Sequence, residues 1–323
     1  MKRMQSCYIK VRRAYLRYIC SKMAKRIESG RRIGLVSSDL WKQRVSDDLL
    51  LQKAFLDAGI KAEIISWQDD KVDFSSYDVL LITSMWGYQN HTEELEKWFQ
   101  KIEKLNLVNR LSIVRNSYDK TRQFALLQQS GLPVIPTVVV KKANLLSANI
   151  STPEHYELHF PIVVKPAISS GGDNTFLAHN EAELQSIAKE LQSDKICENI
   201  LLQPFISEIS NGEISVVLIS GQIVNAVVRF PGVLSSDKRY IVKPLPLSKL
   251  SPDLIDICGK ISEIKDYREA VYMRVDVVEK EGGFVIMEVE TFEPQLFYYL
   301  LKGKARKKML SLMVQAISAC YNM

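Results

Sequence analysis

Short apolar runs alternate with longer amphipathic segments in the first third of the chain. The apolar runs at residues 33–37, 62–67 and 77–84 predict β-strands, because each has the length of a strand and is followed by polar residues. Segments 47–59 and 92–105 predict helices, the first with acids at its start and Gly59 as its stop. The side chains expected to face inward are Leu49, Leu50, Ala54 and Phe55 in the first helix, and Leu95, Trp98, Phe99 and Ile102 in the second.

A further apolar run at residues 111–115 predicts another strand of the same domain. Strands that alternate with helices are typical of an open parallel sheet, because each parallel connection needs a crossover. We therefore expect residues 32–117 to form an N-terminal α/β domain with an open sheet.

The pattern changes after this point to strands that follow one another more closely. Helices are predicted at 119–129, 181–191, 251–265 and 305–321, and strands at 134–140, 162–165, 175–178 and 200–205. Residues 213–220 and 222–230 predict a hairpin that turns at Gly221. This mixture predicts an α+β architecture for the remainder of the chain.

A second predicted hairpin near the C-terminus carries three carboxylates and an arginine among apolar strand-forming residues. Residues two apart in a strand share a face, so Arg274 lies with Asp276 and Glu288 lies with Glu290. A three-residue turn at 281–283 puts Asp276 opposite Glu288 and Arg274 opposite Glu290. Unpaired carboxylates at this spacing repel one another, and Mg²⁺ bound with nucleotide phosphates would relieve the repulsion. The alternative is a salt-bridged face exposed to solvent.

The net charge of the chain is +6, but the charge is unevenly distributed. Residues 1–32 hold eleven Lys or Arg and one Glu, so the rest of the chain is mildly acidic. This basic leader, residues 1–31, has no continuous apolar region typical of a secretory signal. It could form an amphipathic helix on an anionic membrane or a targeting segment, be a poorly packed extension, or precede a true start at Met23.

Composition and missing motifs exclude several classes of protein. The five cysteines are scattered and show no CxxC spacing, which favours reduced thiols and a cytoplasmic location. Because the basic charge belongs to the leader, no nucleic-acid partner is expected. There is no GxGxxG motif after a strand and no GxxxxGK[ST], HRD, DFG or GxSxG motif. These absences argue against a P-loop protein, an ordinary protein kinase and an α/β-hydrolase.

A phosphate site is nevertheless suggested by one lysine and the loop after it. Lys165 ends a predicted strand, and Gly171 and Gly172 follow within a turn-rich loop. A lysine supplies a point charge for phosphate, and a glycine-containing loop can offer backbone N–H groups. An ordinary hairpin loop would have the same composition.

The order of several short motifs is more specific than any one of them. From the N-terminus they are Trp86-Gly87-Tyr88, the helix start at Asp119-Lys120, the VVKP segment ending at Pro166 with its Ser/Gly loop, Gln203-Pro204-Phe205, Gly212-Glu213-Ile214-Ser215, RVD at 274–276 and EVETFEP at 288–294. This series resembles the ATP-grasp superfamily of carboxylate–amine ligases, and most of all its cycloserine-forming branch. The resemblance implies an ATP-grasp fold of two subdomains, 118–205 and 206–323.

The resemblance also implies a role for each matching position. Phosphates of ATP would be held by Lys120 and Lys165, the closing loop would be Ser169, Ser170, Gly171 and Gly172, and the adenine segment would be Gln203, Pro204, Phe205 and Ile206. Glu213 would lie near the ribose, and Mg²⁺ or Mn²⁺ would be bound by Asp276, Glu288 and Glu290. Arg274 would steady the transferred phosphoryl group.

The chain departs from that branch around the acceptor substrate. Asn225 and Arg229 stand where the branch has a histidine and a lysine, and the loop at 235–240 lacks paired glycines, although Arg239 keeps a positive charge there. We expect small carboxylate and amine substrates, an acyl-phosphate intermediate and ADP as product, with a homo-oligomer compatible with the sequence. The alternatives are a small-molecule kinase of the same fold and a nucleotide-binding protein without turnover.

Overall fold

A computed structural model describes residues 31–147, 158–193, 197–231 and 241–321 of the chain. The basic leader therefore lies outside the described residues, apart from Arg31. Across the described ranges, no helix combines the length and the apolar character needed to cross a membrane.

The N-terminal domain is built on a parallel sheet, as the alternating pattern predicts. Its four strands lie in the order β2-β1-β3-β4. The strands are β1 (Arg32–Ser37), β2 (Lys61–Ser66), β3 (Val79–Ile82) and β4 (Leu107–Val108), and the helices between them are α1 (Ser46–Asp57) and α2 (Thr92–Ile102). The register places Ile33 beside both Ala62 and Val79. Because β2 and β3 lie on opposite sides of β1, the strand order reverses there.

The strand predicted at residues 111–115 is wrong. This segment begins a helix, α3 (Leu111–Tyr118), and the fourth strand of the sheet is the two-residue β4 before it. The helix buries Ile113, Val114, Ser117 and Tyr118, which is the spacing of one helical face. A short apolar run cannot distinguish a strand from a buried helix, and here the buried positions continue into the following turn.

The inward face of α1 also differs from the prediction. Phe55 is buried as predicted, but Leu49 is 44% exposed, and Leu51, which was not predicted to face inward, is buried. The two acids at the helix start, Asp47 and Asp48, are buried with them. Rotation of the helix by about one residue relative to the predicted face accounts for both differences, since neighbouring positions lie about 100° apart. The predicted inward face of α2 is confirmed, with all four of its apolar residues buried.

Two antiparallel sheets make up the rest of the chain. The four-stranded sheet has the order β5-β8-β6-β7 and the five-stranded sheet the order β11-β10-β9-β12-β13. Their strands are β5 (Val138–Lys141), β6 (Ile162–Pro166), β7 (Phe176–Ala178), β8 (Asn199–Pro204), β9 (Glu213–Ile219), β10 (Gln222–Phe230), β11 (Ile241–Pro244), β12 (Tyr272–Lys280) and β13 (Gly283–Glu290). The helices that accompany them are α4 (Lys120–Gln129), α5 (Glu181–Ser193), α6 (Pro252–Glu263) and α7 (Gly303–Tyr321).

The strand predicted at 134–140 is shorter in the structure. The paired segment β5 starts only at Val138, and Val134 forms an isolated bridge to Ile286 of the five-stranded sheet. Pro136 lies between the two contacts and has no N–H to donate, so a continuous strand cannot pass through it.

The acidic hairpin β12–β13 has the predicted register at its carboxylates but a different turn. Lys280 pairs with Gly283, so the turn has two residues, Glu281 and Gly282, both with positive φ. A β-bulge next to Asp276 then shifts the register by one residue. Asp276 consequently lies opposite Glu288, and Arg274 opposite Glu290, as predicted. The bulge compensates for the shorter turn.

A shared hydrophobic core joins the N-terminal sheet to the five-stranded sheet. Leu35 and Phe55 from the first domain belong to the same buried cluster as Val217, Tyr272 and Met313. Burial of this contact fixes the ends of β1 and β3 against the segment that follows β13, because close-packed interiors resist displacement. The candidate site lies along this junction.

Candidate active site

The first lysine of the site is held between a helix start and the end of a strand. Asp119 caps α4 by accepting from Thr121 N, and Lys120 N donates to Ala167 O at 3.1 Å, just after β6. The Nζ of Lys120 donates to Ser169 O at 2.7 Å and lies 3.2 Å from Oε1 of Glu288. Burial opposes the charge of Lys120, but the neighbouring carboxylates outweigh it and raise the pKa of this lysine.

Asp276 is the centre of an ion-pair network on the hairpin. Arg274 Nε donates to its Oδ1 at 2.9 Å, Arg229 Nη2 lies 2.8 Å from its Oδ2, and Ser215 Oγ donates to its Oδ1 at 2.6 Å. Asp276 is fully buried, which excludes the alternative of a solvent-exposed charged face. Burial alone would raise the pKa of Asp276, but the two guanidinium groups outweigh it and lower that pKa.

Arg229 also connects Asp276 to Glu213, the acid at the start of β9. Arg229 stands directly opposite Glu213 in the β9–β10 ladder, and its Nη2 lies 2.9 Å from Oε2 of Glu213. Burial raises the pKa of Glu213 to about 7, although Arg229 opposes this shift. Arg229, Glu213, Asp276 and Arg274 therefore form one continuous charged cluster.

The three acids of the last motif share a second part of the site. Glu288 pairs with Lys120, and Glu290 accepts from Ser117 Oγ at 2.6 Å and from Phe292 N at 2.7 Å. Glu293 Oε1 accepts from Ser170 Oγ at 3.0 Å, but its buried Oε2 has no hydrogen-bond partner among the described residues. Burial, followed by the charge of its acidic neighbour, raises the pKa of both Glu290 and Glu293.

The Ser/Gly loop is positioned by the Trp-Gly-Tyr segment of the N-terminal domain. Tyr88 Oη donates to Ser169 O at 3.2 Å, and Trp86 Nε1 donates to Glu293 O at 3.3 Å. Gly171 and Gly172 both have positive φ, at 61° and 78°, which suits glycine. Ser170 Oγ reaches Glu293, so the loop lies over the acids of the hairpin. This contact gives the tryptophan and tyrosine a positioning role that the sequence motif did not reveal.

Lys165 lies on β6, close enough to Lys120 for the two charges to repel each other. No carboxylate of the described residues lies within ion-pair distance of Lys165, and its Nζ sits 5.8 Å from the ring centroid of Phe124. Burial, then repulsion from Lys120, lowers the pKa of Lys165 to about 8. The two predicted phosphate lysines are thus brought together, one balanced by an acid and one without such a partner.

The predicted adenine segment occupies the end of β8 and the residues after it. Gln203 is buried, and its side-chain amide donates to Thr137 Oγ1 at 2.8 Å. Pro204 is half-buried, Phe205 is 40% exposed and Ile206 is buried. This segment connects the two antiparallel sheets. Within the described residues, its side chains form no hydrogen bond or ion pair with the charged cluster.

Two further predictions concern Arg239 and the three metal ligands. Arg239 lies outside the described residues. Within those residues, no three His, Cys, Asp or Glu side chains converge as a ready metal cluster. Asp276 is engaged by two arginines and Ser215, and Glu290 by Ser117 and the backbone. The three predicted metal ligands lie on adjacent strands without meeting at one point.

Sequence reasoning missed several polar residues that hold the site in place. Ser117 bonds to Glu290, Ser215 bonds to Asp276, and Gln123 exchanges two hydrogen bonds with the backbone of Val289, at 2.8 and 3.0 Å. Ser215 was visible as the last residue of the G-E-x-S motif, and Glu293 as the last acid of its own motif. The other two carry no local signal, because their partners are more than 160 residues away.

Two family models match adjoining parts of the chain. Residues 33–109 match the family "D-cycloserine synthetase DcsG, N-terminal domain", and residues 117–311 match the family "RimK-like ATP-grasp domain". The cycloserine biosynthesis protein DcsG of Streptomyces lavendulae is 24% identical over 280 residues, which cover 76% of this chain and 86% of that protein.

Solved structures show the same fold at low sequence identity. The crystal structure of D-cycloserine synthetase DcsG gives a TM-score of 0.72 at 21% identity, over 89% of this chain and 98% of that one. D-alanine–D-alanine ligase from Bacillus anthracis, complexed with ATP, gives 0.63 at 17% identity, over 91% of this chain and 99% of that one.

Proposed function

Because this chain belongs to the RimK-like ATP-grasp family, we propose that it joins a small carboxylate to an amine through an acyl-phosphate, with release of ADP and phosphate. The family resemblance indicated by the ordered motifs is confirmed, and so is the predicted fold class of an open-sheet domain followed by an ATP-grasp fold. The predicted enzyme class is confirmed as well: the protein is an ATP-dependent ligase that forms carbon–nitrogen bonds.

The observation that carries the proposed mechanism is the convergence of Lys120, Lys165 and the acidic hairpin. We propose that the phosphates of ATP bind to the two lysines and to the loop at residues 169–172. The unbalanced charge of Lys165 supports this assignment, since a half-buried ammonium is stabilised by an anionic ligand. We assign adenine to residues 203–206 and the ribose to Glu213, by position in the family pattern.

A divalent cation fits the donors on β13 and the segment after it. Burial and the charge of an acidic neighbour raise the pKa of Glu290 and Glu293, so their ionised forms are costly without a cation, and one buried oxygen of Glu293 has no partner among the described residues. Mg²⁺ commonly uses one or two carboxylates together with nucleotide phosphates, so a preformed trio is not required. We propose Glu288 and Glu290 as ligands, with Asp276 as a third predicted ligand. When bound, the cation would neutralise phosphate oxygens.

The proposed reaction depends on positive charges near the phosphoryl group that is transferred. A carboxylate oxygen attacks the γ-phosphorus, the bond to the bridging oxygen of ADP breaks, and the acyl-phosphate forms. The amine then attacks the acyl carbon, the C–N bond forms, phosphate leaves and the amine loses a proton. We propose that Arg274, Arg229 and Arg239 stabilise charge on the transferred group. No covalent enzyme nucleophile is needed.

A product analysis tests this mechanism directly. The full chain is incubated with ATP, Mg²⁺ and a panel of amino acids and short peptides, and the nucleotide product is identified. We expect ADP, and hydroxamate when hydroxylamine replaces the amine, because hydroxylamine traps an acyl-phosphate but not a phosphate ester. Production of AMP and pyrophosphate would contradict the mechanism, and ADP without hydroxamate would favour the kinase alternative.

Variants separate phosphate binding from the rest of the fold. Lys165→Met should weaken ATP binding, whereas Arg274→Met should retain binding and slow transfer. Lys141→Met is a matched control, because Lys141 is 57% exposed and pairs with Glu198 on the four-stranded sheet. Equal ATP affinity in the Lys165 and Lys141 variants would argue against the assigned phosphate site.

The finer organisation of the molecule is also proposed. We divide the chain into a leader (1–31), an N-terminal domain (32–117) and two ATP-grasp subdomains (118–205 and 206–323). The separate sheets support this division. A cytoplasmic location rests on the scattered cysteines, and any membrane contact is assigned to the leader.

A further inference from the structure

The loop between β6 and β7 passes through two exposed glycines, Gly171 and Gly172. A side chain at either position would meet no atom within 4 Å. The hydrogen bonds inside the loop are short-range, because Asp173 N donates to Ser170 O at 3.1 Å and Thr175 N donates to Gly172 O at 3.2 Å. The glycines have no side chain that could anchor the loop, so contacts on either side of them fix its position.

Before the glycines, the loop is held by Tyr88 of the N-terminal domain. Tyr88 Oη donates to Ser169 O at 3.2 Å, and Lys120 Nζ donates to the same oxygen at 2.7 Å. The ring of Tyr88 is buried against Tyr118 and Phe292, with centroids 5.7 and 5.0 Å away. Aromatic packing of this kind fixes the direction of the hydroxyl. The first end of the loop therefore has two well-placed donors.

After the glycines, the loop is held by Gln89, the next residue of the same domain. Gln89 Nε2 donates to Oδ2 of Asp173 at 2.6 Å, across 84 positions of sequence. Gln89 is 7% exposed, whereas Asp173 is exposed, so a loop residue is bound to a buried and immobile partner. A hydrogen bond that a carboxylate accepts is stronger than one between neutral groups.

The amide of Gln89 fits this position in one orientation. Gly87 N donates to Oε1 of Gln89 at 3.2 Å, so the amide oxygen faces the backbone and the nitrogen faces Asp173. The opposite orientation would place the amide oxygen against a carboxylate and the amide nitrogen against a backbone N–H. Gly87 has φ of 99° and begins the tight turn Tyr88–Asn90. One turn thus directs two neighbouring donors to the two sides of the glycines.

We infer that Gln89 is a positioning residue for the nucleotide: through Asp173 it holds the loop at residues 169–172 in place to bind the phosphates of ATP. The inference rests on the proposed function, because that proposal assigns the phosphates to this loop. It makes the N-terminal domain part of the nucleotide site, although Gln89 itself is not assigned a contact with ATP. Without this bond the nucleotide would have to order the loop, and that cost would weaken binding.

Exchanging the two partner groups tests the inference. Gln89→Glu sets a second carboxylate against Asp173, and we expect ATP affinity to fall about tenfold through loss of a charged hydrogen bond. Adding Asp173→Asn restores one amide and one carboxylate with the donor and acceptor reversed, and the acid can still accept from Gly87 N. The double variant should bind ATP within about threefold of the wild type. Isothermal titration calorimetry of the full chain with ATP and Mg²⁺ measures both.

Two further measurements separate positioning of the loop from a general structural effect. AMP is titrated beside ATP, and its affinity should fall less in Gln89→Glu, because AMP has one phosphate instead of three. Hydrogen exchange without nucleotide follows the loop itself. Exchange at the amides of Asp173 and Thr175 should be faster in Gln89→Glu than in the wild type, and should slow again in the double variant.

Two other variants control for charge and for folding. Asn90→Asp adds the same negative charge at an exposed position of the same turn, and should bind ATP as the wild type does. Gln89→Met keeps the length of the side chain without its amide, and remains informative if Gln89→Glu fails to fold. It should also weaken ATP binding, and Asp173→Asn should not recover that loss, because methionine accepts no strong hydrogen bond.

The inference is overturned if Gln89→Glu binds ATP like Asn90→Asp, if the double variant binds no better than Gln89→Glu, or if ATP and AMP lose affinity equally. Faster exchange in the loop with unchanged ATP affinity would also overturn it, because the loop would then be held without serving the nucleotide. Failure of the proposed phosphate site has a different signature: Lys165→Met would then bind ATP as Lys141→Met does.

Discussion

Two groups of buried carboxylates in this molecule are treated in opposite ways by their surroundings. On the hairpin, Asp276 is bound by two arginines and Glu288 by Lys120, and the pKa of each acid is lowered despite burial. At the start of α1, Asp47 and Asp48 have no cationic partner within the described residues, and burial raises the pKa of both.

The difference indicates which charges the protein balances itself and which it leaves for a ligand. A buried ion pair can persist without ligand, because each charge compensates the other. A buried acid without a cation is unfavourable until a cation arrives, and an unpaired lysine such as Lys165 is unfavourable until an anion arrives. By this criterion we propose Lys165 as the position prepared for an anion.

The largest expected effect is on turnover, through Glu288, the paired acid that we assign to the metal and phosphate site. Glu288→Gln keeps the shape of the side chain and removes its charge, so it should lower turnover by about a hundred- to a thousandfold. The circular dichroism spectrum should not change. Glu279→Gln, an exposed position on the same hairpin, is the matched control and should keep full activity. Normal turnover in Glu288→Gln would remove this acid from the metal and phosphate site.

The next effect is on stability, and it tests whether the hairpin acids are truly balanced. Asp276→Asn leaves two buried guanidinium groups without their shared partner, which should lower the free energy of unfolding by about 3–5 kcal/mol. Urea denaturation measures the change. Asp256→Asn breaks a pair with Lys260 that is more than half exposed, and its expected effect is below about 1 kcal/mol. Similar losses in the two variants would mean that the buried network contributes no more than a surface pair.

The two acids at the start of α1, Asp47 and Asp48, should respond with the opposite sign. The carboxyl of Asp48 has an ordinary pKa of 3.8 and a folded pKa of about 7, so the folded state holds the proton more tightly. Its contribution to stability is fully present below pH 4 and is lost as the pH rises through 7. Asp48→Asn should therefore stabilise the protein at pH 8 by about 1–3 kcal/mol and have little effect at pH 4.

Thermal unfolding at several pH values measures this difference, with Asp57→Asn as the control. A variant stabilised at pH 8 but not at pH 4 would show that the ionised carboxylate of Asp48 costs stability in the folded protein. A destabilised Asp48→Asn variant at pH 8 would instead show that the carboxylate is balanced by a group that the described contacts do not include.

The contrast between the two regions also shows what the sequence could reveal. The hairpin was predictable because alternation fixes which side chains share a face, and one bulge preserved the pairing of Asp276 with Glu288 despite the shorter turn. The burial of Asp47 and Asp48 was not predictable, because acids at a helix start are also typical of helix termini exposed to solvent. Only the docking of Tyr298 and Tyr299 against α1 turns Asp47 inward.

Errors in local structure have similar causes. The segment at 111–115 is apolar enough for a strand. It is a helix in the structure, and its carbonyl at Ile113 accepts from the hydroxyl of Thr291, just after β13, at 3.1 Å. The bonds of Ser117 and Gln123 to β13 span most of the chain and leave no trace in local periodicity. Motif order recovered the charged residues of the site, but not the neutral residues that orient them.

The smallest expected effect concerns Lys120 and Lys165, of which the first has an acidic partner and the second has none among the described residues. Lys120 is balanced by Glu288 and its pKa is raised, whereas the pKa of Lys165 is lowered to about 8. Only the charged form attracts phosphate, so ATP affinity should fall about tenfold between pH 7 and pH 9 as Lys165 loses its proton. Equilibrium titration with ATP across this range measures the slope. Lys165→Arg should flatten the slope, because arginine keeps its charge, and Lys120→Arg should leave it unchanged. A slope that survives in Lys165→Arg would assign the titration to a different group and would remove the main support for Lys165 as the position prepared for an anion.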